Sequence, residues 1–224
     1  LIDACIDRKV KGVVALSTDK ASNPINLYGA TKLASDKLFI AGNAYAGDHN
    51  TRFSVVRYGN VMGSRGSIIP FFLNLKEIGE FPITDPRMTR FMITLEAAVK
   101  LVWHAFDDMQ GGEIYVKKIP SMAIPDIATA ISETAKQKTI GIRPGEKIHE
   151  QMIGLEDAPH TYEYDDHYKI LPAIYNWSSD PKRNKGGTKV DENFTYSSGS
   201  NKEWMSINDL QQWIDANSMQ IGKI

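Results

Sequence analysis

A short apolar run at residues 13–16 (VVAL) stops abruptly at the polar cluster 17–20 (STDK), and this stretch constrains the fold more than any other. Successive apolar residues bounded by polar ones are typical of a buried parallel strand. The polar cluster then lies at the carboxyl end of that strand, the edge where open α/β sheets bind ligands. The stretch therefore predicts an α/β fold with a functional edge near Thr18.

A helical pattern follows this edge and carries two residues that are capable of acid–base chemistry. After a loop with Asn23 and Pro24, the helix begins at about Asn26 and contains Tyr28 and Lys32. Residues four apart share one helix face, and an ammonium at that distance stabilises the phenolate of Tyr28. Tyr28 is therefore a candidate proton acceptor, although an ordinary surface pair at this spacing is common.

Further patterns predict the remaining elements. Strands are expected at 52–57, 81–84, 113–116 and 139–143, and helices are expected to start near Ser67, Thr94, Pro125 and Ser206. The helical spacing of Leu95, Ala98, Val99, Val102, Trp103 and Phe106 predicts a buried face. Residues 155–201 are polar and predict a solvated loop, in which Asp165, Asp166 and His167 are too close in sequence to converge on one metal ion.

The combination of a strand ending in Ser-Thr, a loop and YGATK resembles the active site of the short-chain dehydrogenase/reductase superfamily. Within its extended branch, the Thr-Asp-Lys of residues 18–20 is similar to the inverting UDP-N-acetylglucosamine 4,6-dehydratases, whereas retaining 4,6-dehydratases carry Thr-Asp-Glu. The resemblance continues through RYGNVMGSRGSIIPFF, ITDPRMTRFMI and IRPGEKIHE, so it covers nearly the whole chain.

This resemblance implies a fold, a set of domains and a set of site residues. The implied fold is a Rossmann-type parallel α/β sheet with a smaller C-terminal α/β substrate domain; residues 1–62 and 91–110 belong to the former, and 63–90 and 111–224 to the latter. The implied catalytic residues are Thr18, Asp19, Lys20, Tyr28 and Lys32. The implied cofactor-binding residues are Leu16, Ser17, Tyr28, Lys32 and Val61. The implied substrate-binding residues are Lys20, Asn60, Ser64, Arg65, Gly66, Ser67, Thr84, Arg143 and Glu146.

The chain contains no glycine-rich turn of the kind that binds a dinucleotide pyrophosphate. We therefore expect the first half of the Rossmann sheet to be absent and the chain to be a fragment or a truncated product. The residue that distinguishes the two nicotinamide dinucleotides belongs to that half. The cofactor prediction is accordingly NADP or NAD.

Composition limits the classes of partner that the chain is expected to bind. The net charge of −1 argues against a nucleic-acid surface, and no apolar run approaches the ~18 residues of a membrane span. We find no signal-peptide pattern, and a single cysteine fits a reducing cytoplasm. We thus predict a cytoplasmic protein without nucleic-acid or membrane partner and without metal. The resemblance implies an enzyme with a UDP-sugar substrate, homo-oligomerisation and a role in polysaccharide biosynthesis of the pseudaminic acid type.

Two alternatives remain. The first is a UDP-sugar 4-epimerase or a retaining 4,6-dehydratase on the same scaffold, against which Asp19 and Lys20 argue, because an epimerase needs no acid and base at C5 and C6. The second is a non-catalytic fragment or pseudo-enzyme that lacks the cofactor turn. Titration with NADP and UDP-N-acetylglucosamine distinguishes them.

Overall fold

The computed structural model describes residues 1–173 and 180–223. In chain order the helices are α1 (Ile2–Asp7), α2 (Leu27–Ala46), α3 (Ile68–Leu75), α4 (Leu95–Asp108), α5 (Ile124–Ile131) and α6 (Ile207–Asn217). The strands are β1 (Gly12–Thr18), β2 (Arg52–Tyr58), β3 (Asn60–Val61), β4 (Glu80–Ile83), β5 (Thr89–Ile93), β6 (Ile114–Lys117), β7 (Ser121–Ala123), β8 (Lys136–Thr139), β9 (Gln151–Ile153), β10 (Thr161–Glu163), β11 (His167–Ile170), β12 (Thr188–Lys189) and β13 (Tyr196–Ser197).

The chain divides into two compact units. The first comprises Leu1–Tyr58, Glu96–Lys118 and Gln151–Tyr196, and the second comprises Gly59–Leu95, Ile119–Glu150 and Ser197–Ile224. None of the helices in the described part of the chain is long and apolar enough to cross a membrane.

The first unit is built on one sheet with the strand order β1-β2-β6-β11-β10-β12. Strands β1, β2 and β6 are parallel, and β11 and β10 continue the sheet antiparallel. The register places Thr18 opposite Tyr58, so both residues lie at the same carboxyl edge. This mixed sheet with a parallel core and flanking helices confirms the predicted α/β class.

Helix α2 follows the edge of β1 and begins where the sequence predicted. The Asn26 side chain accepts a hydrogen bond from the backbone N–H of Gly29 at 2.8 Å and caps the first turn. The helix runs to Ala46 and ends at Gly47, whose φ of +50° is accessible to a residue without a β-carbon.

The second unit has its own core beneath three helices. Strand β5 lies between β3 and β7, and β4 pairs in parallel with β8. Phe72 of α3 stacks on Phe81 of β4, with ring centroids 4.9 Å apart. Helix α6 packs Leu210 into this core and starts with the predicted capping box, in which Ser206 and Asp209 satisfy each other's backbone N–H groups.

The predicted strand at 139–143 is wrong. The strand is β8, which ends at Thr139 opposite Ile83. Gly141 follows with a φ of +92°, which is outside the extended region, so the ladder cannot continue toward Arg143.

The predicted solvated loop at 155–201 is also wrong in part. Strands β10, β11 and β12 within it extend the main sheet, which groups residues 151–196 with the first unit. Lys169 is buried on β11 because its ammonium reaches Asp108 at 2.5 Å and lies over the Tyr164 ring. Residues 174–179 of that prediction lie outside the described part of the chain. The functional division into 1–62 with 91–110 and 63–90 with 111–224 stays a prediction.

Helix α4 buries only part of the predicted stripe, namely Ala98 and, partly, Val102. Its small residues Ala98 and Ala105 are buried together with Leu101, whereas Trp103 is 64% exposed, and Val99, Phe106 and Leu95 are exposed as well. The close approach of α4 to Val56 and Tyr115 on the sheet favours the small side chains at the contact. The larger apolar residues are left on the outer face.

Candidate active site

Three successive residues at the end of β1 form a hydrogen-bonded cluster. The Thr18 hydroxyl donates to Oδ1 of Asp19 at 2.8 Å, and the Lys20 ammonium contacts the same oxygen at 3.0 Å. Asp19 is fully buried, and its Oδ2 has no hydrogen-bond partner within the described residues. A carboxyl group, an ammonium and a hydroxyl are thus held within proton-transfer distance, with one acceptor oxygen unsatisfied.

Tyr28 and Lys32 lie on the next element, one turn apart on α2. The Lys32 ammonium donates to the carbonyl oxygen of Leu16 at 2.6 Å, which ties the helix to the last part of β1. Tyr28 is 56% exposed, and Leu16 is also exposed at this edge. The phenol and the ammonium are therefore presented together, as the helical spacing predicts.

Tyr58 is a residue of this site that the sequence analysis missed. It lies at the carboxyl end of β2, opposite Thr18, and burial raises its pKa, to which the neighbouring charge of Tyr28 adds. The available signal was its position at the end of the strand next to β1.

Ser17, predicted to contact the cofactor, has a buried hydroxyl that donates to Asp36 on α2 at 2.9 Å. Its side chain therefore faces the helix. Val61, the other predicted cofactor contact outside this cluster, pairs with Ile93 in the second unit.

The second unit contains a pocket of about 360 Å³. Most of the predicted substrate-binding residues of this unit line it, namely Asn60, Gly66, Ser67, Thr84, Arg143 and Glu146. Ser64 and Arg65, which were predicted alongside them, are not among its lining residues. The sequence did not predict the apolar wall, which includes Phe71, Pro82, Met88 and Ile140.

The polar groups of this pocket, beside its apolar wall, suit a ligand in which an anionic group is joined to a flat ring. Ser67 occupies the N-cap position of α3, yet its hydroxyl makes no hydrogen bond in the described structure, and neither does Oδ1 of Asn60. The backbone N–H of Arg143 donates to Glu146 at 3.4 Å, and Arg143, an exposed residue, lines the pocket. A helix N-terminus and an arginine together favour a phosphate group.

Arg87 and Arg90 have different surroundings. Arg87 forms a two-point contact with Asp85 at 2.9 and 2.7 Å, and these hydrogen bonds lower the pKa of Asp85 to about 2. Arg90 lines the pocket, while its guanidinium donates to the carbonyls of Thr89 and Ile148. Both guanidinium groups are thus held by contacts within the chain, and Arg90 adds positive charge to the pocket wall.

The described residues contain no group of three or more His, Cys, Asp or Glu side chains arranged to bind a metal ion. His167 begins β11 in a buried position, with Nδ1 2.8 Å from Asp166, which also contacts Lys117. Asp166 is thus engaged in an ion-pair network on the sheet.

The chain is similar to a polysaccharide biosynthesis family and to enzymes that are named for UDP-sugars. The model of a family described as polysaccharide biosynthesis protein matches residues 1–172. A UDP-N-acetylglucosamine 4,6-dehydratase (inverting) from Campylobacter jejuni is 54% identical over 217 residues, and the match covers 94% of this chain and 65% of that protein. A UDP-glucose 4-epimerase from Rickettsia canadensis is 41% identical, with 76% of this chain and 51% of the epimerase covered. The chain thus spans about two thirds or less of the length of these relatives.

Among solved structures, Pen from Bacillus thuringiensis matches with a TM-score of 0.85 and 32% identity, covering 97% of this chain and 66% of Pen. MoeE5 in complex with UDP-glucuronic acid and NAD matches with a TM-score of 0.57 and 20% identity over 65% of this chain and 56% of MoeE5, which supports the fold alone.

Proposed function

Because the chain belongs to the polysaccharide biosynthesis protein family, we propose that the protein containing it removes water from UDP-N-acetylglucosamine across C5 and C6, with inversion at C5. The product is a UDP-2-acetamido-2,6-dideoxy-4-keto-hexose. The relative at 54% identity carries the name of this activity. The observation that carries the proposal is the contact of Lys20 and Thr18 with the buried Asp19, next to the helix that presents Tyr28 and Lys32.

In the first step, Tyr28 as phenolate removes the proton of the C4 hydroxyl while Thr18 orients that hydroxyl. Lys32 stabilises the phenolate electrostatically and, from its position at the Leu16 carbonyl, is placed to bind a ribose hydroxyl. The ketone formed at C4 makes the C5 proton more acidic.

In the second step, Lys20 removes the C5 proton and Asp19 donates a proton to the departing C6 hydroxyl, which leaves as water. The contact of the Lys20 ammonium with Oδ1 of the buried Asp19 keeps the proposed acid and base together. Reprotonation of C5 on the opposite face gives the inverted product. The long side chain of lysine reaches a face of C5 that a shorter carboxylate does not.

The residues present fit the nicotinamide-ribose end of an NADP or NAD cofactor, because Lys32 is fixed at the exposed Leu16 edge beside Tyr28. When bound, the nicotinamide supplies hydride chemistry, accepting hydride from C4 and returning it to C6. We propose that residues 1–62 and 91–110 take part in binding this cofactor.

We propose that the pocket of the second unit binds the UDP part of the substrate. Ser67 at the N-terminus of α3 and the Arg143 guanidinium would contact the diphosphate, and Glu146 would accept a hydrogen bond from a sugar or ribose hydroxyl. Asn60 and Thr84 are further polar contacts in the same lining. Ser64 and Arg65 precede α3 and remain proposed contacts only through the resemblance.

A 4-epimerase is the second candidate, because epimerases are among the relatives at 41% identity. It would use Tyr28, Thr18 and Lys32 but would leave Asp19 and Lys20 without a task. NADP is the cofactor we favour over NAD. The reaction would take place in the cytoplasm, by a homo-oligomer, and would feed surface polysaccharide of the pseudaminic acid type.

The test is to incubate the whole protein with UDP-N-acetylglucosamine and either NADP or NAD and to identify the product by NMR. A 6-deoxy-4-keto sugar with inverted C5 supports the proposal. The proposal is refuted by a 4-epimer, by a 4-keto product with retained configuration at C5, or by no turnover although nucleotide and cofactor bind.

A further inference from the structure

A buried charge pair joins the proposed catalytic face of α2 to strand β2. Asp36 on α2 and Arg57 on β2 are each 1% exposed, and Nη2 of Arg57 lies 3.2 Å from Oδ2 of Asp36. The same carboxylate oxygen accepts the Ser17 hydroxyl at 2.9 Å. Ser17 and Arg57 are directly opposite in the parallel register of β1 and β2, so Asp36 joins two adjacent strands to the helix.

The spacing along α2 connects this pair to the proposed chemistry. Tyr28, Lys32 and Asp36 are four residues apart and lie on successive turns of one helix face. Lys32 bonds to the carbonyl of Leu16, and Asp36 bonds to the next residue of β1, Ser17. Two consecutive turns of α2 are thus bonded to two consecutive residues of β1. The turn that precedes them carries Tyr28.

Arg57 extends the same network to the other side of the cluster. Its Nη1 donates to the carbonyl of Met152 at 2.6 Å and to Asp157 at 3.1 Å. The segment that carries Met152 also contacts the turn after Lys20, because Asn23 donates to Gln151 at 2.6 Å. One guanidinium therefore holds both α2 and the segment beside the Asp19–Ala21 turn.

Stability alone is a weak explanation for such a pair. Desolvation of two charges offsets much of their attraction, and Nε of Arg57 has no hydrogen-bond partner among the residues described. What the pair supplies is a fixed direction and distance between three backbone elements. We propose that Asp36 and Arg57 are positioning residues. They fix the position of α2 along β1, and with it the positions of Tyr28 and Lys32 relative to Thr18. The inference rests on the proposed function for the step that Tyr28 performs.

The chain offers a closely matched control. Glu113 is equally buried, accepts the Ser54 hydroxyl at 2.9 Å and pairs with Arg183 at 3.0 Å, but it has no contact with α2 among these bonds. Asp36→Asn and Glu113→Gln therefore remove the same charge from the same type of serine–carboxylate–arginine network. We expect both variants to be less stable than the parent.

The kinetic test uses the whole protein. We expect Asp36→Asn to lower kcat about 10- to 100-fold, with KM for the UDP-sugar within about twofold, because misplacement of a catalytic group costs rate more than binding. Glu113→Gln keeps kcat within about twofold. If Asp36→Asn is too unstable, Ser17→Ala removes one of the two contacts of Asp36 and gives a smaller loss of kcat. An unchanged kcat in Asp36→Asn, or an equal loss in Glu113→Gln, overturns the proposal.

A crystal structure of each variant gives a readout that needs no activity. We expect the Lys32–Leu16 distance to exceed about 3.5 Å in Asp36→Asn and to be retained in Glu113→Gln. A retained contact in Asp36→Asn overturns the inference even if the parent is an active dehydratase. Conversely, a parent without dehydratase activity refutes the proposed function while this comparison still decides the positioning role.

Discussion

Gly29 on α2 packs its backbone against the carbonyl oxygen of Lys20, so closely that a β-carbon at Gly29 would lie 2.4 Å from that oxygen. Real β-carbons do not approach a backbone oxygen to this distance, and neither group is the end of a flexible side chain. The first turn of α2 is therefore in direct contact with the turn that carries Asp19 and Lys20.

This contact predicts that Gly29→Ala destabilises the protein and lowers its activity. Helix propensity alone predicts the opposite, a gain of about 1 kcal/mol for Gly to Ala in a helix interior. We expect a loss of stability in chemical denaturation and a loss of kcat, since the Lys20 carbonyl must move. Lys37→Ala, at an exposed position of the same helix, is the control. A more stable, fully active Gly29→Ala would refute the close approach.

Removal of the Tyr28 hydroxyl is expected to stop the first proposed step without affecting the fold. The side chain is more than half exposed, so Tyr28→Phe should unfold at the parent's denaturant concentration. We expect the rate of reduced-cofactor formation in a single turnover to fall about 10²- to 10⁴-fold, the usual contribution of a general base. Tyr45→Phe, also exposed on α2, should leave the rate unchanged. An undiminished absorbance rise in Tyr28→Phe would contradict its assignment.

The two arginines assigned from the resemblance should differ in their effect on nucleotide binding. Arg143 lines the pocket of the second unit, whereas Arg65 is exposed and is not among the lining residues. Loss of a charge-assisted hydrogen bond to phosphate costs about 1.5–3 kcal/mol, which corresponds to a roughly 10- to 150-fold weaker Kd for UDP in Arg143→Ala. Titration calorimetry should show a smaller effect for Arg65→Ala. Equal losses would indicate that Arg65 also reaches the diphosphate.

Buried His167 should make stability depend on pH. Burial is the largest cause that lowers its pKa, and it outweighs the neighbouring Asp166 carboxylate, while the charges of His104 and Lys169 lower the pKa further. The unfolded chain then binds a proton below about pH 6.5 that the folded chain resists. The stability that neutral His167 contributes is fully present above that pH, and it is lost as the pH falls toward the lowered pKa of His167 in the folded chain.

The measurement is the free energy of unfolding at about pH 7.5 and about pH 5.5. We expect His167→Gln to show a smaller decrease between the two pH values than the parent. Val116→Ala, in the paired strand β6, should lower stability by the same amount at both pH values, because it removes no titrating group. A parent-like slope in His167→Gln would exclude His167 as its source.

Strand β1, the helix with Tyr28 and Lys32, and the helix start at Ser206 could be predicted because each depends on neighbours close in sequence. The buried face of α4 was predicted only in part, since which face of a helix is buried depends on the sheet residues it meets, here Val56 and Tyr115. The polar segment near Lys169 gave no strand signal, because its burial relies on Asp108, 61 residues away.

The site shows the same division. Asp19, Lys20, Tyr28 and Lys32 were predicted as site residues from two short motifs, and the structure brings Thr18, Asp19 and Lys20 into contact. Tyr58 and the Asp36–Arg57 pair were missed because their neighbours are set by the register of β1 with β2 and by the packing of α2, which local sequence does not show. Their roles depend on distances that only the folded chain defines.

The account depends most on Lys20 as the base at C5. The direct measurement is incorporation of solvent deuterium at C5 of the product, followed by NMR in heavy water, for the parent, Lys20→Met and Lys37→Met. The account predicts that Lys20→Met loses both C5 labelling and product while Lys37→Met retains them. C5 labelling at the parent rate with inverted product in Lys20→Met would contradict it.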